Sequence, residues 1–170
     1  MLILGADPGF SGAIAFLDPG TMELQVHDMP VVAETKGKVI INLMGLGMLL
    51  DPGSRHNQPK DGRFMAVIEK VHAMPKQGGS STFRFGEGYG ALQMACAGHG
   101  YEMRYVTPSV WKKHFGLNSD GNASRGLATQ RFPANARDFL RVMDHGRAEA
   151  ALIALYGAEV LARTQPKPTA

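Results

Sequence analysis

The apolar run Leu2-Ile3-Leu4-Gly5-Ala6 ends in a carboxylate, Asp7, and turns at once through Pro8-Gly9 toward a second run, Ala13-Ile14-Ala15-Phe16-Leu17. An apolar run without polar alternation suits a strand buried on both faces. A carboxylate at the rim of such a strand must be hydrated, paired or bound to a cation. The pattern returns in Phe64-Met65-Ala66-Val67-Ile68-Glu69, again closing on an acid. The chain is thereby directed toward a sheet covered on both sides, with acids at the ends of two of its strands.

Asp-Pro-Gly itself carries no such information, since it occurs at residues 7–9, 18–20 and 51–53. Asp starts a turn, Pro presets φ and Gly accepts a positive φ, so each copy has a local explanation. Only the first is preceded by a buried strand.

The remaining pattern predicts strands over 2–7, 11–17 and 22–29 as an antiparallel meander. A helix is expected over 36–50, weakened by Gly45 and Gly47, then a polar loop over 51–63 and the strand 64–69. Beyond a Gly/Ser-rich loop come a helix over 81–98, a strand over 101–107 and a helix over 108–115 with Pro108 in its first turn. A loop over 116–123, a short helix over 124–131 and a long final helix over 146–163 complete the chain, with 164–170 as a flexible tail. A meander followed by alternating helix and strand makes a mixed α/β sheet with packed helices, whose sites collect at the carboxyl ends of the strands.

With 170 residues and 44% hydrophobic content, one domain over 1–163 has enough apolar material for a core. The first strand begins at Leu2 and no apolar run approaches the ~20 residues of a membrane span, so a soluble cytoplasmic protein without a targeting peptide is expected. A single cysteine, Cys96, excludes an intrachain disulfide and a cysteine-cluster zinc site, and its apolar neighbours place it in the core. The net charge of +3 permits a polyanionic partner without demanding one.

The last helical segment, DHGRAEAALIALYG, sets His145 and Glu149 one turn apart on a stripe with Leu152 and Tyr156. A glutamate on an apolar stripe costs several kcal/mol unless it is paired or bound to a metal. Ala148, Ala150, Ala151 and Ala154 allow this helix to approach the sheet closely and to bring Glu149 toward Asp7 and Glu69. Three carboxylates and an imidazole form a hard, oxygen-rich donor set suited to Mg²⁺ or Mn²⁺. Two such cations can activate water and stabilise a leaving oxygen in phosphodiester hydrolysis. The structural alternative is that Glu69 pairs with Lys70 or Arg147 and that His145 only caps the helix.

Taken in order, GADPGFSGAIAF, VIEKVHAMPKQGGSSTFRFGEGYG, VTPSVWKKHFGL and DHGRAEAALIALYG resemble the RuvC-type Holliday-junction resolvases of the ribonuclease-H-like superfamily. The likeness runs from Gly5 to Tyr156 and is nearest to the branch that includes the chloroplast junction resolvase and its bacterial and phage relatives. It implies a ribonuclease-H-like five-stranded mixed sheet, antiparallel meander first, with helices on both faces. It further implies a homodimeric endonuclease that places paired symmetric nicks across a four-way DNA junction, with two Mg²⁺ or Mn²⁺ per active site. Carried over by position, the catalytic and metal-binding residues fall on Asp7, Glu69, His145 and Glu149. The bacterial pattern has two aspartates three apart on the final helix; here His145 stands four before Glu149, which leaves Asp144 as a less favoured fourth ligand.

The intervening motifs read as DNA contacts. Gly78 and Ser80 belong to a stretch that exposes backbone amides before a helix, with Lys76, Gln77 and Arg84 beside it, and Lys112 and Lys113 follow an aromatic, Trp111, assigned to the core. An ordinary N-cap loop would look similar. Phe83, Phe85, Tyr89, Leu92 and Met94 exceed what one helix face buries, and part of that surface, around Phe85, Tyr89 and Leu92, is assigned to the dimer. His72, His99 and His114 receive no role. Competing readings are a catalytically inert junction- or RNA-binding module on this fold, an actin-like phosphotransferase, and a ribonuclease-H-like nuclease on RNA–DNA hybrids. The phosphotransferase would need a second glycine-rich phosphate loop and a longer chain.

Overall fold

A computed structural model describes residues 1–34, 37–54, 59, 61–72 and 78–162. The chain forms β1 (Leu2–Asp7), β2 (Ala13–Leu17), β3 (Leu24–Asp28), β4 (Val31–Ala33), β5 (Val39–Ile41), α1 (Leu43–Leu50), β6 (Phe64–Glu69), α2 (Gly79–Gly98), β7 (Glu102–Val106), α3 (Pro108–His114), α4 (Gly121–Arg131) and α5 (His145–Tyr156). Short 3-10 turns at Pro133–Phe139 and Val142–Asp144 link α4 to α5.

The central sheet has the order β3-β2-β1-β6-β7. β1 pairs antiparallel with β2 and parallel with β6, and β6 pairs parallel with β7, so the sheet is mixed and its meander comes first, as expected. The period-two alternation of β1 divides the core. Ile3 faces α5 together with Ala13, Ala15, Met65 and Val67, whereas Leu4 and Ala6 face α1 and α2 with Ile14, Phe16, Ala66 and Ile68. Both faces of the sheet are thus covered by helices. On α2 the buried positions Gly88, Leu92 and Cys96 recur every four residues and form the inward stripe.

The approach of α5 to β1 is as close as backbone allows. A Cβ placed on Gly5 would run into the carbonyl oxygen of Ala150 and the amide nitrogen of Ala154. The alanines of α5 therefore serve the close contact anticipated for them, with Gly5 as their counterpart in the sheet.

Several boundaries differ from the sequence expectation. The segment 36–50 is not one helix, because Val39-Ile40-Ile41 pair as β5 with β4 in a separate two-stranded ribbon. Three consecutive β-branched residues favour that outcome. The helix then starts at Leu43, where the Asn42 side chain accepts from the Gly45 amide at 3.0 Å. α4 begins three residues early on an Asp120 cap. The final helix becomes a π turn at Gly157–Leu161, where a Cβ on Gly157 would lie 2.7 Å from Val67 Cγ2. Leu92, assigned partly to a dimer surface, is buried at 1% exposure against the sheet. The tail expected over 164–170 lies outside the described residues.

Candidate active site

All three Asp-Pro-Gly copies form the same local turn. The Gly9, Gly20 and Gly53 amides donate to Asp7, Asp18 and Asp51 Oδ1 at 3.4, 2.7 and 2.9 Å. What separates the first copy is its surroundings. Asp7 ends β1 at the centre of the sheet, and its Oδ2 lies so close to Gly146 that a Cβ there would stand 3.2 Å from it. The first turn of α5 therefore abuts the Asp7 carboxylate. Burial first, then the charges of Glu69 and Glu149, push the Asp7 carboxyl up from the usual 3.8 to about 7.

Glu69 ends the neighbouring strand β6 and is buried. The indole Nε1 of fully buried Trp111 donates to its Oε1 at 2.8 Å. Burial raises the Glu69 carboxyl, the Trp111 hydrogen bond opposes the shift, and Glu149 adds to it. Sequence reasoning placed Trp111 in the core and missed this contact. The signal was present in principle, since a buried indole N–H requires an acceptor.

Glu149 projects from the second turn of α5. Its Oε1 accepts from Lys112 Nζ at 2.7 Å on α3 and from the buried Ser124 hydroxyl at 3.2 Å on α4. Lys112 thus joins the acidic cluster, and its positive charge also acts on Asp7 and Glu69. Neither partner proposed for Glu69 takes that part. Arg147 holds Asp28 through two 2.6 Å hydrogen bonds and Lys70 is exposed.

His145 opens α5 and is exposed, its Nδ1 3.3 Å from the carbonyl oxygen of Val142, and among the described residues the structure does not bring its ring into contact with Asp7, Glu69 or Glu149. A carbonyl only accepts, so a hydrogen bond here is donated by Nδ1. Asp144 is buried and fully engaged. Its Oδ2 accepts from the Arg141 amide at 2.7 Å, and its Oδ1 from Arg141 Nε and Nη2 at 3.0 and 2.7 Å. That set of bonds makes it a turn-forming cap.

Among the proposed DNA contacts, Lys76 and Gln77 lie outside the described residues. Gly78 is the exposed N-cap of α2 and Ser80 is exposed in its first turn. Arg84 is partly buried, donating to the Val39 carbonyl with its guanidinium over the Phe10 ring, 5.5 Å from the centroid. Lys113 is exposed and shares with Lys112, Ser109, Asn118 and Ser119 the wall of an open groove of about 520 Å³ beside the cluster.

The donor chemistry suits a hard divalent cation: acids from three elements act on one another through their charge, burial raises the Asp7 and Glu69 carboxyls, and one ammonium, Lys112, offsets them. Among the described residues no three His, Cys, Asp or Glu side chains form a group that could hold a metal ion, and Glu149 is bonded to Lys112. No helix among them is long and apolar enough to cross a membrane.

No family model and no curated protein sequence matches the chain. Its fold does match solved structures. One is Thermus thermophilus RuvC in complex with a Holliday junction substrate, 17% identical, with a TM-score of 0.59 and 99% of each chain covered. Another is a Thermus thermophilus RuvC structure, 14% identical, with a TM-score of 0.55 and 94% of this chain and 96% of that one covered. The α/β architecture is therefore of RuvC type over nearly the full length.

Proposed function

We propose that the chain is a crossover junction endodeoxyribonuclease, acting as a homodimer in the cytoplasm of a bacterial or phage-infected cell, that resolves four-way DNA junctions by paired symmetric nicks. The observation that carries this reading is Asp7, buried at the end of β1, whose carboxyl is raised to about 7 by burial and then by the charges of Glu69 on β6 and Glu149 on α5. The RuvC-type fold adds that a protein of the same architecture is known with a Holliday junction substrate.

Asp7, Glu69 and Glu149, with His145, would hold Mg²⁺ or Mn²⁺, two per site; bound there, the cations would supply charge neutralisation at the scissile phosphate and a more acidic water. The chain's own part is positional. Trp111 orients Glu69, the Asp7-Pro8-Gly9 turn fixes Asp7, and Lys112 and Ser124 hold Glu149. With Nδ1–H held by the Val142 carbonyl, the one remaining ring nitrogen of His145, Nε2, would serve either as a cation ligand or as the acceptor of a proton from the attacking water. Gly78, Ser80 and Lys113 remain exposed for phosphate contacts, with Lys76 and Gln77 assigned to the same task from sequence.

A two-fold junction calls for two equivalent sites. Phe83 and Met94, eleven residues apart on one stripe of α2 and largely exposed, offer apolar surface for the second copy, as does Met44 on the adjacent α1. The experiment compares nicking of a four-way junction, a linear duplex and an RNA–DNA hybrid with Mg²⁺, for the parent and for Asp7→Asn, Glu69→Gln and Glu149→Gln. The reading expects symmetric cuts in the junction alone, abolished in each variant with junction binding kept. Hybrid cleavage in preference to the junction would move the protein to the ribonuclease class, and junction binding without cutting would make it an inert module.

A further inference from the structure

Glu149 is held from two helices at once, by Lys112 on α3 and by Ser124 on α4. Further along the same element the arrangement recurs. Glu159, in the π turn that follows α5, accepts from Arg131 at the end of α4 through Oε1, and its Oε2 lies 2.8 Å from His114 Nε2 on α3. Each carboxylate therefore joins the same two helices. At 1.5 Å per residue the two rungs stand about 15 Å apart, the first at the candidate site and the second at the far end of α5.

The second rung is packed as well as bonded. The His114 ring meets the Tyr156 ring edge-on with 5.3 Å between centroids, and the Arg131 guanidinium lies over the Phe115 ring at 5.9 Å. A single ion pair on a surface contributes little. Here one partly buried carboxylate engages both partners, so α3 and α4 share one support.

With only seven residues, α3 is too short to hold its shape alone, and its contacts set its position. Trp111 and His114 lie one turn apart on it. Fully buried Trp111 fixes where α3 sits, and a second point about 4.5 Å further along fixes how it is turned about that anchor. The turn matters, because Lys112 between them has to reach Glu149 while the Trp111 indole N–H stays on Glu69.

Taking its consequence from the nuclease reading, we propose that Glu159 is a positioning residue: through His114 and Arg131 it holds α3 and α4 in the orientation that presents Trp111, Lys112 and Ser124 to the acids of the site. The effect on the reaction is indirect, since the bonds of Glu159 run to His114 and Arg131 and the bonds to the acids are made by their helices.

Trp111 is the only tryptophan in the chain, so it reports on this arrangement without any cutting assay. The test records the indole N–H resonance and the fluorescence of the full chain in chelator, then junction nicking with Mg²⁺. Glu159→Ala should move the indole resonance and open Trp111 to acrylamide quenching. Nicking turnover should fall about tenfold with KM for the junction unchanged, as expected when groups that touch the acids are misplaced. Glu159→Gln keeps the side-chain length and both hydrogen-bonding positions and should restore resonance and turnover. A lower melting temperature with the indole and turnover unmoved would overturn the proposal, making Glu159 a purely stabilising residue; so would a change in KM alone. If Glu159→Ala does not fold, His114→Ala removes only the α3 bond and should give the same indole shift, and an unmoved indole there overturns the proposal too. A parent that cuts no junction while its indole moves in Glu159→Ala upholds the anchor and sinks the nuclease reading. A parent that cuts junctions while Glu159→Ala leaves the indole in place sinks the anchor alone.

Discussion

Replacing Asp7 with Asn keeps the shape of the side chain and its acceptor for the Gly9 amide but removes the charge that its surroundings resist. Raising the carboxyl from 3.8 to about 7 corresponds to about 4 kcal/mol of cost to the folded state once Asp7 is ionised, at 1.36 kcal/mol per pH unit. Asp7 retains some contact with solvent, which reduces this to about 2–3 kcal/mol. Between pH 3.8 and 7 the folded state holds the proton more tightly than the unfolded one, so parent stability falls as pH rises through that window. In chelator at pH 8, Asp7→Asn should therefore unfold about 5–10 °C above the parent. At pH 5 the gap should shrink to about 1 kcal/mol, since little of the penalty has yet accumulated. Adding Mn²⁺ should stabilise the parent more than the variant, because the parent supplies the negative charge that binds the cation. Thermal unfolding by circular dichroism at four pH values, with and without metal, checks each point. A variant no more stable than the parent at pH 8, or a gap that stays flat with pH, would refute the assignment of Asp7 as a strained acid awaiting a cation.

Trp111→Phe should cost about 2–3 kcal/mol and reduce nicking at least tenfold while junction binding holds, because Glu69 loses its one charge-assisted donor on α3; unaltered nicking would show that Glu69 needs no such guide. Gly5→Ala drives a methyl into the backbone of α5 and should destabilise by about 3 kcal/mol or more, with loss of cutting in whatever fraction still folds; an unfolding scan and a nicking assay check it. Phe83→Glu with Met94→Glu should give a monomer by light scattering with little change in melting temperature, since both side chains are largely exposed in the single chain.

The strands and the acids that end them were legible because both depend on short-range pattern. An unbroken apolar run states double-sided burial, and an acid closing it stands out against that background. The approach of α5 was legible from its alanines. The structure added the partners. Lys112 reads as a phosphate contact beside an aromatic, yet it reaches Glu149, 37 residues away in sequence. Arg84 reads the same way and instead reaches Val39 across 45 residues. A cation's sequence neighbours do not reveal which distant carboxylate or carbonyl it will meet. The helix expected over 36–50 failed for a local reason, the β-branched run at 39–41, whose preference outweighed an apolar spacing that fits a helix equally well.

Because α5 sits directly on Gly5, the first strand and the last helix of the described chain are mutual cover. The face of β1 that carries Ile3 stays bare during synthesis until α5 has emerged, long after β2, β6 and β7 are available to pair. Assembly from the amino end can therefore complete the sheet and the core beneath α1 and α2, but not the core on the Ile3 face. Asp7 and Glu149 are brought together only at that late step, so an incomplete chain carries the acids of two strands without the third that completes the cluster.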